Sequence, residues 1–153
     1  MALQNFFNPI EVEGLAELQV ALRELPDATA RNVLRRVAKS VLQPIAQRAQ
    51  SLAPVEVGRL RRSIVVSDKL TRRQKSQFQR DDPNDVIMFV GAGALAQAHM
   101  MEFGTTDISP RPFLRPAWDG GKDKVLQSIK DQLWIEIQKA AARLARKAAK
   151  GTG

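Results

Sequence analysis

The side chains best suited to chemistry are few: one histidine, no cysteine, and serines without a catalytic setting. His99 stands three positions before Glu102, so on a helix the two share a face, but that spacing matches no catalytic or metal-binding motif. A zinc site lacking a second histidine or any cysteine would have to be built mainly from carboxylates, an uncommon set. Beside Met100 and Met101, His99 reads as a packing or interface residue. Ser63 and Ser109 lack the glycine-flanked elbow that exposes a hydrolase nucleophile. Gly91, Gly93 and Gly104 do not form GxGxxG, and Gly58 is followed by Arg59 rather than by Lys and a hydroxyl residue, so neither nucleotide fingerprint is present. The expectation is a protein that is not an enzyme and uses no cofactor and no metal.

Composition points the same way. The 153 residues suit one domain over 1–153, with 44% hydrophobic and 26% charged residues, as in ordinary globular chains. Aromatic residues are 5% and tyrosine is missing, so a core must be built from Leu, Ile, Val and Ala. Lys and Arg outnumber Asp and Glu 24 to 16, giving a net charge of +8. Such an excess favours nucleic acid or an acidic protein face. The lack of cysteine excludes disulfides and fits synthesis in a reducing cytoplasm. No apolar run approaches the roughly 20 residues that span a bilayer, and residues 1–8 have neither a basic start nor an apolar stretch of a signal peptide. No membrane partner is expected.

The elements that must position any functional surface follow from periodicity. Ile10, Val12 and Gly14 predict a short strand. Leu15, Leu18, Leu22 and Leu25 predict a helix closed by Pro26, and Asp27 is placed to cap a second helix running to about Ala53. Leu34, Val37, Val41, Ile45, Ala49 and Leu52 mark its buried face, while Arg31, Arg35, Arg36, Lys39 and Arg48 face largely away. Pro44 should kink or break it, because proline removes a backbone donor and clashes with the preceding turn. Two β-branched runs, Ile64–Val66 and Val86–Val90, predict strands. Ala94–Glu102 reads as a short helix, Phe103–Pro116 as a turn-rich connection, and from Lys122 onward Leu126, Ile129, Leu133, Ile137, Ala140, Leu144 and Ala148 trace a closing helix. The fold class expected is α+β: a small antiparallel sheet with a long hairpin loop, flanked by the long helix and the closing helix.

Two basic regions remain outside this core pattern. The loop 67–85 is long enough to be either a contact arm that orders on assembly or a flexible tip, and it carries Arg72, Arg73, Lys75 and Arg80. The chain's end, 139–153, carries Lys139, Arg143, Arg146, Lys147 and Lys150 on one helical stripe. These are the candidate contacts to DNA or to a protein partner, a solvated face being the plain alternative.

Three stretches combine backbone punctuation with apolar anchors. In the first, Pro54 ends a helix and Gly58, free to take positive φ, leads through a basic turn to Leu60, Ser63 and Ile64. In the second, Glu102, Phe103, Gly104 and Thr105 close a helix with Gly104 available as its C-cap. The third runs through Pro112, Phe113, Leu114, Pro116 and Ala117 to Trp118. Their order and spacing over roughly residues 10–145 resemble the tail-component family of long-tailed bacteriophages, the tail-completion or head-tail joining proteins. The resemblance implies a structural virion protein of the phage neck that completes or terminates the tail and joins it to the DNA-filled head. It also implies a homo-hexameric ring, with the tail tube and head-tail connector proteins as partners and genomic DNA passing through. The protein would be made in the host cytoplasm and end in the virion. Two other readings stay open: a DNA-binding accessory protein using the basic loop and the basic helix end, and a head-proximal adaptor or stopper of the same neck.

Overall fold

The computed structural model describes residues 15–54, 58–69, 72, 76, 85–93 and 95–151. The expected strand at Ile10–Gly14 lies outside them, as does most of the loop 67–85, including Arg73, Lys75 and Arg80. In order, the described elements are α1 (Leu15–Arg23), α2 (Asp27–Leu52), α3 (Gly58–Ser63), β1 (Val65–Ser67), β2 (Phe89–Gly91), α4 (Ala96–Phe103) and α5 (Leu114–Lys150). Helices with a small antiparallel sheet make this an α+β fold, as the periodicity predicts.

The frame is the pair α2 and α5. Val33, Val37, Val41, Ile45, Ala49 and Ala53 are buried at successive intervals of four, forming the kind of i, i+4 ridge that interdigitates with a second helix. Ala117, Val125, Leu133 and Ile137, all buried on α5, make the matching ridge. The two helices run antiparallel: Gly121, near the start of α5, faces Ile45, and Arg36 reaches Glu136 further along. The seam thus lies slightly to one side of the predicted stripes. Val33 replaces Leu34 as the fully buried position, Ala53 replaces Leu52, which is 43% exposed, and on α5 Val125 is buried while Ala148 is exposed.

Other expectations are corrected. α2 runs unbroken through Pro44. The ring is on the exposed side, and the buried Val41, Ile45, Ala46 and Ala49 around it outweigh one lost backbone bond, a cost of about 3 kcal/mol in an unsupported helix. Asp27 is the first helical residue rather than the cap. Pro26 occupies the cap position, its carbonyl accepting the N–H of Ala30 at 2.9 Å, so Asp27 acts through the helix dipole alone. Gly58 opens the short helix α3 where a turn with positive φ is expected; among the described residues only Gly93 and Gly104 have positive φ. α3 forms because it buries Leu60 completely.

The strands are shorter than their β-branched runs. β1 and β2 pair Val65 with Gly91, Val66 with Val90 and Ser67 with Phe89, and a strand exists only where a partner's backbone groups meet it. Residues 86–88 therefore stay irregular, and Ile64, ahead of β1, is fully buried in the core instead. Gln50 on α2 donates its amide N–H to the Ile64 carbonyl at 2.8 Å, tying sheet to helix. α5 begins at Leu114, well before Lys122, and takes Pro116, Gly120 and Gly121 into its first two turns.

Candidate functional site

The start of α5 explains why it can begin inside a proline-rich segment. The first four N–H groups of a helix have no partner within it. Here the cap residue Phe113 and Leu114 donate to Oε2 of Glu102 at 2.8 and 3.0 Å, and Arg115 donates to Oε1 at 2.9 Å. The fourth position is Pro116, which has no N–H to satisfy. One carboxylate and one proline thus account for all four donors, and the negative charge also sits at the positive end of the longest helix dipole.

The segment that delivers Glu102 to this point is equally constrained. α4 ends at Gly104, whose φ of 75° and ψ of 177° fall in a region that is essentially reserved for glycine. Its N–H returns to the Met100 carbonyl at 2.8 Å, and a Cβ added there would lie 2.8 Å from the Ile108 oxygen and 2.9 Å from Pro110 Cδ. Thr105 then closes the loop. Its hydroxyl accepts the N–H groups of Asp107 and Ile108, and its own N–H donates to the Ile108 carbonyl at 2.9 Å. Arg111 N–H meets the Met101 carbonyl at 2.7 Å, bringing the chain back along α4.

Phe113 locks the clamp into the core. It is completely buried and belongs to the apolar core that also holds Leu60, Ile64 and Ala117, and its N–H is held by Glu102, so each of the three punctuated stretches is tied to the core. The Leu60 stretch carries its own ties: Arg61 Nε donates to the Ala53 carbonyl at 3.1 Å and Ser63 Oγ to the Leu60 carbonyl at 2.6 Å. Pro54 is half-buried, as are Leu114 and Glu102, while Pro112 and Pro116 are exposed.

Around this clamp lies apolar surface. Phe103 is 58% exposed, with the His99 ring 4.8 Å away and the Arg115 guanidinium 5.9 Å above its centroid. Trp118 is 47% exposed one turn into α5, and Met100 and Ile108 are also exposed. Aromatic and methionine side chains beside arginine are the composition enriched where proteins meet. The geometry builds a rigid support beneath an exposed apolar surface, and among the described residues no three or more His, Cys, Asp or Glu side chains are grouped so as to hold a metal ion.

The basic candidates fall elsewhere. Arg72 is exposed. Lys139 is paired with Glu136 at 3.3 Å, and Arg143 and Lys147 line a groove of about 250 Å³ with Thr29, Asn32 and Arg36 of α2. The sequence shows both basic faces, but it gives no sign that Arg36 of α2 and the end of α5 are neighbours. Nor does it reveal Glu102 as a cap, because the acceptor stands 11 to 13 positions before its donors, outside any local capping pattern.

No curated protein and no solved structure is significantly similar to the chain. One family model matches residues 16–104. It covers the first punctuated stretch and the second up to Gly104, leaving out Thr105, the Pro112–Trp118 stretch and α5, so it is narrower than the span of roughly 10–145 read from the motifs. Since the match takes in more than half of the chain, the protein belongs to the HK97-gp10-like family, described as "Bacteriophage HK97-gp10, putative tail-component".

Proposed function

We propose that this phage tail component works in the neck, where it completes or terminates the tail and joins it to the DNA-filled head as one subunit of a homo-hexameric ring. Its neighbours would be the tail tube and the head-tail connector, with genomic DNA passing through the opening, and its role would be structural rather than enzymatic. The observation that supports this best is the clamp at the start of α5. A chain that spends a half-buried carboxylate, a glycine-only conformation and a fully buried Phe113 on holding one loop rigid, and leaves Phe103, Trp118, Met100 and Ile108 exposed around it, has a preorganised apolar face of the kind that subunit contacts use. A ring needs a heterologous contact, one face of a subunit meeting a different face of the next. Trp134 and Ile135, half-exposed beside Leu18 of α1, supply a second apolar face for such a contact.

Electron microscopy of lysates from the parent phage with an early stop codon in this gene tests the reading. DNA-filled heads lying apart from tails, or tails of abnormal length, are expected. Normal infectious particles would refute it.

A further inference from the structure

Antiparallel packing places the first turns of α2 beside the last turns of α5, and both are basic. After Glu136 the chain has no further carboxylate side chain, while α2 beyond Asp27 has none at all. Where acidic groups do approach, they sit at one end: Glu136 holds Arg36 at 3.1 Å and Lys139 at 3.3 Å, and Asp68 lies 3.7 Å from Arg35. Past that point Arg143, Arg146, Lys147 and Lys150 are exposed and have no ion-pair partner among the described residues. Asp27, the carboxylate at that end of α2, is exposed and is in none of the ion pairs among the described residues.

This surface differs in kind from the apolar faces. Among the described residues no large exposed apolar side chain lines it; its cations are Arg36, Arg143, Arg146, Lys147 and Lys150, and charge of one sign without an apolar centre is not the make-up of a protein–protein interface core. Surfaces that take nucleic acid are by contrast polar and strongly positive. Lys139 to Lys150 span about 16 Å of helix at 1.5 Å per residue, the length of about five phosphates along one strand of a duplex. The groove between α2 and α5 adds Asn32 and Thr29, hydrogen-bonding groups of the kind that contact phosphate oxygens without reading sequence.

The geometry points to this α2–α5 groove as a binding site for the phosphate backbone of duplex DNA, independent of sequence. The inference deepens the neck reading and rests on it for the source of the DNA.

The test titrates the full chain against short labelled duplexes of two unrelated sequences over a range of salt. Arg143→Glu/Lys147→Glu reverses the groove, and Lys122→Glu/Lys124→Glu makes the same change of net charge on exposed positions near the start of α5. Wild-type protein should bind both duplexes alike, with affinity falling steeply in salt. Groove reversal should lower affinity at least tenfold and reduce the slope of log affinity against log salt by about two, with a much smaller loss in the control. Should the reversal melt early, Arg143→Gln/Lys147→Gln makes the same comparison with the charges removed. No duplex binding at low salt, equal losses in groove and control variants, or a preference for polyglutamate over duplex, the mark of an acidic protein partner, would each overturn the assignment. Failure of the neck reading is separate: it shows as normal particles from the stop-codon phage, whatever the titration gives.

Discussion

The two ends of α5 are built on opposite rules. At Leu114 every backbone donor is answered or removed, Phe113 is completely buried, and the preceding loop is held by Gly104 and Thr105. At Lys150 the helix ends on Gly151 in ordinary helical conformation, its N–H returning to Lys147 at 3.1 Å, and the last two turns expose cations that meet no carboxylate among the described residues. The difference separates two uses of a residue. Interactions that are satisfied internally hold the fold, whereas charges left unanswered are available to a partner.

The comparison breaks first at Phe113. Phe113→Ala removes a fully buried ring and should cost about 3–5 kcal/mol, measured by denaturant unfolding; if both stability and ring formation survive, the clamp is not what supports the proposed contact. Glu102→Ala should follow at about 2–3 kcal/mol, since it leaves three N–H groups without their charged acceptor. Glu102→Gln should recover only part of this, having one carbonyl oxygen where the carboxylate uses two. An unchanged denaturation midpoint in the alanine variant would mean that water replaces the carboxylate without loss. Gly104→Ala should cost about 1–3 kcal/mol from its backbone conformation, with further displacement of the 108–110 loop visible as amide chemical-shift changes there.

A finer comparison lies inside α5. Alanine is favoured over glycine in a helix by about 1 kcal/mol, so Gly120→Ala, whose Cβ would meet only the Arg48 guanidinium at 3.5 Å, should raise the melting temperature by a few degrees. Gly121→Ala would set a Cβ 3.1 Å from Ile45 Cγ1 on the α2 ridge. It should gain less than its neighbour or lose stability. Equal gains would show that α2 and α5 have room to separate. At the other end, charge changes at Arg143 and Lys147 should leave stability within about 0.5 kcal/mol, as exposed positions away from packing do, while changing DNA binding. That contrast is the sharpest form of the difference between the ends.

Much of this was legible in the residues. Leucine and valine spacing placed α1, α2 and α5, β-branched runs located both strands, and Gly104 was readable as a C-cap. The same local rules misjudged boundaries wherever a distant group intervened. Pro44 did not break α2 because buried neighbours on both sides hold the helix. The second strand contracted to the three residues that β1 could pair. α5 started a full two turns early because a carboxylate from α4 replaced the hydrogen bonds that Phe113–Arg115 lacked.

By itself the sequence determined the amphipathic faces, the basic excess and the three punctuated stretches by which the phage tail family could be recognised, since each depends on spacing within a turn or two of chain. Only the tertiary structure decided that Glu102 caps a helix begun 12 residues later, that Phe113, Leu60 and Ile64 share one core, and that Arg36 of α2 lies beside Arg143 and Lys147 near the end of α5. Those outcomes depend on which surfaces meet when the i, i+4 ridges of α2 and α5 pack antiparallel, and contact between residues some hundred positions apart leaves no periodic signal in the chain.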